Sequence, residues 1–229
     1  LFFNLSSIPR NAVVQNATLR AFVAGFAPTN DAPFGILARF LSTAWDPTIL
    51  TWNNFNPQWG AEIGVGQIPA ATGWVEANVT APVREWVWAV RPNNGLMLQG
   101  DESPNAGRER IFFAINAQNG LHPRLVVTYQ IDTTAPSSIV NPLGQWERAT
   151  FRVAWSGQDN SGGSGLRHFD VQFRVNGGAW QNWQTATTAT SANFTGVNAA
   201  TYDFRVRATD WAGNAQPFPN NPQATTRVD

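Results

Sequence analysis

The segment LRHFDVQFRVNGGAWQNW, residues 166–183, decides the fold class because its side chains alternate and then meet a turn. The odd positions from Phe169 to Val175 are apolar, and the even positions are polar, which is the period of a half-buried strand. The turn sequence NGG at 176–178 tolerates positive φ. The segment therefore predicts a β-hairpin with one face in a core.

Short alternating or apolar runs separated by turn residues recur over the rest of the chain. TYDFRVRATD (201–210) alternates in the same way, and short apolar runs such as TLRAFVAG (18–25) and RLVVTYQI (124–131) are separated by Pro, Gly and Asn. No long 3.6-residue period occurs, and APVREWVWAV (81–90) fits a helix or a strand equally well. We predict an all-β protein built from two tandem β-sandwiches.

The junction between the two sandwiches is predicted near Ile131. A β-rich run ends there in DTTAP (132–136), so the expected domains are residues 1–131 and 132–229. Residues 225–229 repeat the spacing of Thr and Asp seen at 128–132. We therefore expect residues 225–229 to be a second junction, followed by another module.

The first half resembles the secreted bacterial DNRLRE domain, which overlaps a family of carbohydrate-binding modules. The matching stretches are FNLSSIPRNAVVQNATLRAFV (3–23), WDPTILTWNN (45–54), VTAPVREWV (79–87), NNGLMLQG (93–100) and HPRLVVTY (122–129). The resemblance implies a jelly-roll-like sandwich. The family has further strands before the first stretch, so this domain is expected to lack its first strands, which the same chain or a neighbour would supply.

The second half resembles a bacterial immunoglobulin-like module close to fibronectin type III. The resemblance rests on DTTAP, FRVAWSGQDNSGGSG (151–165), WQNW (180–183) and TYDFRVRATDWAGN (201–214). It implies that Trp155 lies on an inner strand and that Tyr202 forms the aromatic corner of a later strand. Such modules are serial spacers in surface proteins.

Composition excludes several classes of function. Arginines and acidic residues balance, eight to eight in residues 1–131 and seven to seven in 132–229, so neither half selects nucleic acid or an anionic membrane. The chain has no Cys, and none of its basic residues is Lys, which excludes disulfides, thiolate metal sites and lysine chemistry. No apolar run approaches 18 residues, so we expect no membrane insertion.

Catalytic patterns are missing from the sequence. It contains no G-x-S-x-G, no H-E-x-x-H and no glycine-rich phosphate loop. The histidines, His122 and His168, are interpreted as structural, and the Asp101–Glu102 pair as a solvated, arginine-paired loop. We predict that the chain is not an enzyme.

One loop offers oxygens to a cation. GQDNSGGSG (157–165) places Asp159, Asn160 and Ser161 among glycines, which makes Asp159 and Asn160 candidate Ca²⁺ ligands. The favoured alternative is a plain glycine-rich connection, because the loop lacks the alternating carboxylates of an EF-hand. DWAGN (210–214) is interpreted as a turn in which Asp210 and Asn214 cap backbone amides. No other cofactor is expected.

Exposed aromatic rings flanked by planar polar groups would bind sugar rings. Trp59 and Trp88 lie outside the matched stretches as candidate platforms, with Arg91, Asn93 and Asn94 close to Trp88. The alternative is that Trp88 packs against a neighbouring module. Four tryptophans at matched positions are expected in the core: Trp45, Trp52, Trp74 and Trp86. In the second half, Trp211 in a turn is a candidate contact surface.

These observations favour a non-catalytic segment of an extracellular, cell-surface multidomain protein. The first sandwich would bind polysaccharide and serve adhesion, and the second would be an immunoglobulin-like spacer. The alternative is a structural subunit or repeat of an extracellular fibre or surface layer, a homopolymer assembled by inter-chain β-strand contacts. The partners expected are polysaccharide or neighbouring protein modules.

Overall fold

The computed structural model confirms the all-β class and divides the chain into two compact units, Leu1–Gln130 and Ile131–Asp229. It describes residues 1–28, 32–35, 37–46, 48–51, 59–63, 67–100, 107, 109–114, 116–117 and 119–229, with the backbone alone at 34, 37, 59–62 and 67.

The described part of the first unit has nine strands and one helix. In chain order these are β1 (Ala12–Ala27), β2 (Phe34–Gly35), β3 (Leu37–Leu41), β4 (Trp59–Glu62), β5 (Gln67–Ile68), β6 (Gly73–Asn78), α1 (Thr80–Val87), β7 (Leu96–Gln99), β8 (Glu109–Phe112) and β9 (Arg124–Ile131). One sheet has the order β6-β1-β8, with β9 also paired to β1. A second has the order β4-β3-β7, and β2 pairs with β5.

Strand β1 organises the first unit because its two faces differ. Leu19, Ala21 and Val23 are buried, whereas Arg20 and Phe22 point to the other face and are half-buried. The buried face packs with side chains from β3, β7 and α1. The period of two in TLRAFVAG thus separates a core face from an outer face of the sheet.

The ambiguous segment 81–90 is mainly helical. Pro82 lies in the first turn of α1, where its missing N–H costs no hydrogen bond, and Val83, Trp86 and Val87 are buried at i, i+3 and i+4. The helix stops where Ala89 adopts a φ of 54°. This apolar stripe closes the core above β1, and it confirms that Trp86 is a core residue.

The second unit contains eight strands in two sheets. They are β10 (Ser137–Val140), β11 (Trp146–Glu147), β12 (Thr150–Gln158), β13 (Leu166–Val175), β14 (Gln181–Thr187), β15 (Ser191–Thr195), β16 (Thr201–Asp210) and β17 (Ala224–Val228). The sheets have the orders β10-β12-β15 and β11-β17-β16-β13-β14. The predicted hairpin is confirmed, because β13 and β14 pair across a turn in which Asn176 and Gly177 have φ of 50° and 73°.

The core of the second unit is aromatic. Trp155 is buried on β12, as predicted, and stacks edge-on against Trp183 at 5.9 Å between ring centroids. Tyr202 is buried on β16, where its hydroxyl accepts a hydrogen bond from the Val197 amide at 2.8 Å. This Tyr-to-backbone bond is the geometry of a tyrosine corner.

Candidate functional site

The sequence-predicted group at the end of α1 begins with Trp88. Its half-buried ring packs against the core of the first unit, and its Nε1 donates to the Ala12 carbonyl at 2.9 Å. The Arg84 guanidinium lies 5.8 Å from the centre of the ring. The polar atom of Trp88 therefore makes an internal contact, which limits what it offers to a ligand.

The polar members of the group also make internal contacts. Arg91 pairs with Glu85 at 2.8 Å and lies 4.4 Å from the Phe40 ring centre. Asn93 donates from its amide to the Phe3 carbonyl at 2.8 Å. The carbonyl of Asn94 accepts from Trp45 Nε1 at 2.9 Å.

Arg91, Asn93 and Asn94 lie in one loop after α1, and these contacts fix the loop to neighbouring parts of the first unit. Trp59 starts β4 opposite Leu41, and its side chain lies outside the described residues, as does the whole of Trp52. Sugar binding by this group remains a prediction.

The outer face of the β6-β1-β9 sheet carries a different constellation, which we call the Trp74 platform: Arg20, Phe22, Trp74, Glu76 and Arg124. The guanidinium carbons of Arg20 and Arg124 lie 4.9 and 5.0 Å from the Trp74 ring centre. Phe22 meets the ring edge-on at 5.4 Å. Glu76, 54% exposed at its side chain, pairs with Arg20 at 2.8 Å.

The prediction that Trp74 is a core residue is wrong. Trp74 faces Phe22 across the β1–β6 pair, and Phe22 alternates with the buried residues of β1. Trp74 is half-buried and belongs to none of the core clusters in the described residues. Alternation alone put Arg20 and Phe22 outside, but the register that brings Trp74 beside them is a property of the folded sheet.

The Trp74 platform suits a polyhydroxylated ligand. An aromatic ring offers its face or edge to the C–H groups of a sugar, and two guanidiniums donate hydrogen bonds to oxygens. Glu76 adds an acceptor for hydroxyl groups. A half-exposed sheet face of this kind can contact an extended chain without a deep pocket.

An apolar cavity of about 650 Å³ also lies in the first unit. Its lining includes Leu1, Phe2, Leu41, Leu96, Phe112 and Phe113. Hydroxyl groups placed there would lose water without gaining hydrogen-bond partners, which costs free energy. The cavity is therefore a poor site for a sugar.

The second unit gathers three carboxylates that are distant in sequence. Oxygens of Asp132, Asp159 and Asp210 lie within 4.8 Å of one another. The sequence predicted Asp159 as a candidate Ca²⁺ ligand. It did not predict Asp132 or Asp210 as ligands, although Asp132 begins the DTTAP motif and Asp210 begins the DWAGN motif. Asn160, the other candidate, lies in the same loop, and its Oδ1 would be 2.8 Å from a Cβ at Gly163.

Hydrogen bonds to backbone amides hold these carboxylates. Asp132 accepts from the amides of Thr134 and Ser164, and Asp210 accepts from the amide and side chain of Asn214. Asp159 accepts from two amides as well. The predicted capping role of Asp210 is confirmed.

The predicted capping role of Asn214 is wrong, because its side chain donates to the Asp132 carbonyl at 3.2 Å instead of accepting from an amide. An amide NH₂ is a donor, so it satisfies a carbonyl.

The pKa values of the two most buried carboxyls shift in opposite directions. Burial raises the pKa of Asp210, with the charge of Asp132 acting in the same direction. Burial also acts to raise the pKa of Asp132, but amide hydrogen bonds from Ser164 and Thr134 outweigh it and hold that pKa below its ordinary value.

The remaining candidate residues of the sequence analysis are half-buried or lie outside the described residues. Trp211 is half-buried in the turn after β16, with the Arg167 guanidinium 5.3 Å from its ring centre. His122 and His168 are both half-buried, His168 on the polar face of β13. Asp101 and Glu102 lie outside the described residues. The helix of the described chain is too short to cross a membrane.

Comparison with known proteins found a sequence similarity, a structural alignment and a family match. A 100-residue stretch is 39% identical to Exoglucanase B of Cellulomonas fimi, covering 43% of this chain and 9% of that protein. A crystal structure of a β-1,2-glucanase from Parabacteroides distasonis aligns with 93% of this chain and 28% of its own at 11% identity and a TM-score of 0.31. Residues 1–129 match carbohydrate-binding module family 96, and the chain belongs to this family.

Proposed function

We propose that this chain is a non-catalytic part of an extracellular protein, in which the first unit binds polysaccharide through the Trp74 platform. The observation that carries the proposal is the position of Trp74 on the outer face of the sheet, between two arginines. Membership of a carbohydrate-binding family supports the ligand class. The similarity to Exoglucanase B supports an extracellular setting, although the chain spans only 9% of that protein.

The second unit is proposed to be an immunoglobulin-like spacer. Its sheets of three and five strands and the Tyr202–Val197 hydrogen bond support this assignment. A spacer would hold the first unit at a distance from whatever precedes or follows it. Adhesion of the whole protein to a surface would follow from polysaccharide binding by the first unit.

Affinity electrophoresis of the full chain against a panel of neutral and acidic polysaccharides tests this function. Trp74→Ala should weaken binding at least about tenfold, because truncating an aromatic hot-spot residue costs about 2 kcal/mol or more and a factor of ten corresponds to about 1.4 kcal/mol. Arg124→Gln should also weaken binding. Arg10→Gln is the matched control, since it removes the same charge from an exposed position of the same unit.

The outcome separates the two candidate sites of the first unit. Unchanged binding by Trp74→Ala, together with weakened binding by Trp88→Ala, would transfer the site to the end of α1. Circular dichroism and amide NMR spectra of each variant show whether the fold is retained. Absence of binding to the whole panel would contradict the proposed function.

A further inference from the structure

The outer face of the five-stranded sheet in the second unit carries an ordered stack of cations and rings. We call it the Arg ladder, and its members in spatial order are Arg174, Trp180, Arg205, Phe218 and Arg207. The guanidinium carbons of Arg174 and Arg205 lie 4.7 and 4.1 Å from the Trp180 ring centre. Those of Arg205 and Arg207 lie 4.9 and 4.7 Å from the Phe218 ring centre.

Hydrogen bonds fix the orientation of each guanidinium in the ladder. Arg174 Nε donates to Asp203 at 2.7 Å, and Arg207 Nε donates to Asp170 at 2.9 Å. Arg205 instead donates to the neutral oxygens of Gln172 and Pro219, each at 2.9 Å. The arginines are therefore preorganised, which lowers the entropy cost of binding a ligand to them.

Charge is segregated within the second unit. Five of its seven arginines lie on strands of this sheet, two of them outside the ladder: Arg167, which stacks on Trp211, and Arg227, which stacks on Trp146. Asp170 and Asp203 are the acidic residues that pair with this face. Three other carboxylates of the unit are held together in the cluster around Asp132.

The result is an excess of positive charge on one side of a unit that is neutral as a whole. Arg205 shows the effect, because burial and the neighbouring charge of Arg174 both lower its pKa. An anion bound at this face would relieve that repulsion.

The stack also indicates the kind of partner. Each ring in the ladder contacts two guanidiniums, so the face presents several N–H donors side by side along the stack. Guanidiniums bind carboxylate and sulfate oxygens in a bidentate geometry. Since arginines extend from Trp146 on β11 to Trp211 after β16, the face fits a repeating anion better than a single small one.

We propose that the outer face of the five-stranded sheet in the second unit, formed by the Arg ladder with Arg167 and Arg227, binds an acidic polysaccharide. The choice of a polysaccharide over other polyanions rests on the proposed function of the first unit. The spacer would then be a second contact with the same kind of polymer, and the two contacts would add avidity.

The test compares two double variants of the full chain that remove the same charge. Arg167→Gln/Arg227→Gln alters the face at arginines that form no ion pair within the described chain, so the ladder stays intact. Arg10→Gln/Arg152→Gln is the control, since Arg10 is exposed in the first unit and Arg152 is exposed on β12, in the other sheet of the second unit. The ligands are polygalacturonate, dextran sulfate and neutral dextran, which separate carboxylate from sulfate recognition.

We expect the face variant to bind polygalacturonate or dextran sulfate at least about fivefold more weakly, with the control within about twofold of wild type. Equal losses in both variants would overturn the proposal, because they would indicate general electrostatics. Tighter binding of duplex DNA than of either acidic polysaccharide would also overturn it.

Amide NMR titration of the wild type with polygalacturonate or dextran sulfate locates the contact independently of the variants. Shifts in β13, β16 and β17 support the proposal, and shifts confined to the first unit overturn it. The latter result would leave polysaccharide binding by the Trp74 platform standing, so the two ideas fail separately.

Discussion

Tyr202→Phe removes one hydrogen bond from the second unit and leaves the aromatic packing in place. The Tyr202 ring is buried and stacks on Phe194 at 5.0 Å, and phenylalanine retains this contact. What is lost is the 2.8 Å bond from the Val197 amide to the hydroxyl. An unsatisfied buried donor costs about 1–3 kcal/mol. Val197 is 71% exposed, so water can reach the freed amide, and we expect a loss near the lower end, about 1 kcal/mol.

Urea unfolding of the full chain, followed by NMR intensities of second-unit amides, measures this change without interference from the first unit. A loss of about 1 kcal/mol should lower the melting temperature of a unit of this size by roughly 4–8 °C. Tyr129→Phe, followed through first-unit amides, is the control for removing an exposed tyrosine hydroxyl, because Tyr129 is 40% exposed and the change there should stay within about 0.5 kcal/mol. A loss below about 0.3 kcal/mol for Tyr202→Phe, with unchanged hydrogen exchange at Val197, would refute the argument.

Two further changes probe the site and the buried carboxyls. Arg91→Gln should leave polysaccharide affinity within about twofold of wild type, because Arg91 already contacts Glu85 and Phe40. A tenfold loss of affinity in affinity electrophoresis would favour the sequence-predicted site at the end of α1. The pKa of Asp210 is raised in the folded state, so its contribution to stability is lost as the pH rises above the ordinary carboxyl pKa. The pKa of Asp132 is lowered in the folded state, so its ionised carboxylate contributes stability at pH values above the ordinary carboxyl pKa. Asp210→Asn should therefore flatten the decline in unfolding free energy as the pH rises above about 4, and an unchanged slope in urea titrations would contradict this.

Alternation of side chains was sufficient to predict the strands around Leu19 and Phe169. A period of two separates a buried face from an outer face whatever the partner strand is, so burial on β1 and β13 could be deduced locally. The segment 81–90 was ambiguous because its apolar residues fit both periods. Packing of Val83 and Trp86 onto the core selects the helix there.

The sequence alone therefore determined the all-β class, the hairpin at Asn176, the burial of Trp155 and the resemblance of the first half to carbohydrate-binding modules. The tertiary structure decided which side chains meet. The register of β1 and β6 brings Trp74 beside Arg20. The folding of the second unit brings Asp132 beside Asp210, which is 78 residues away in the sequence. Periodicity reports the direction of a side chain from its own strand, whereas a binding surface depends on residues from several strands, and only the folded sheets bring these together.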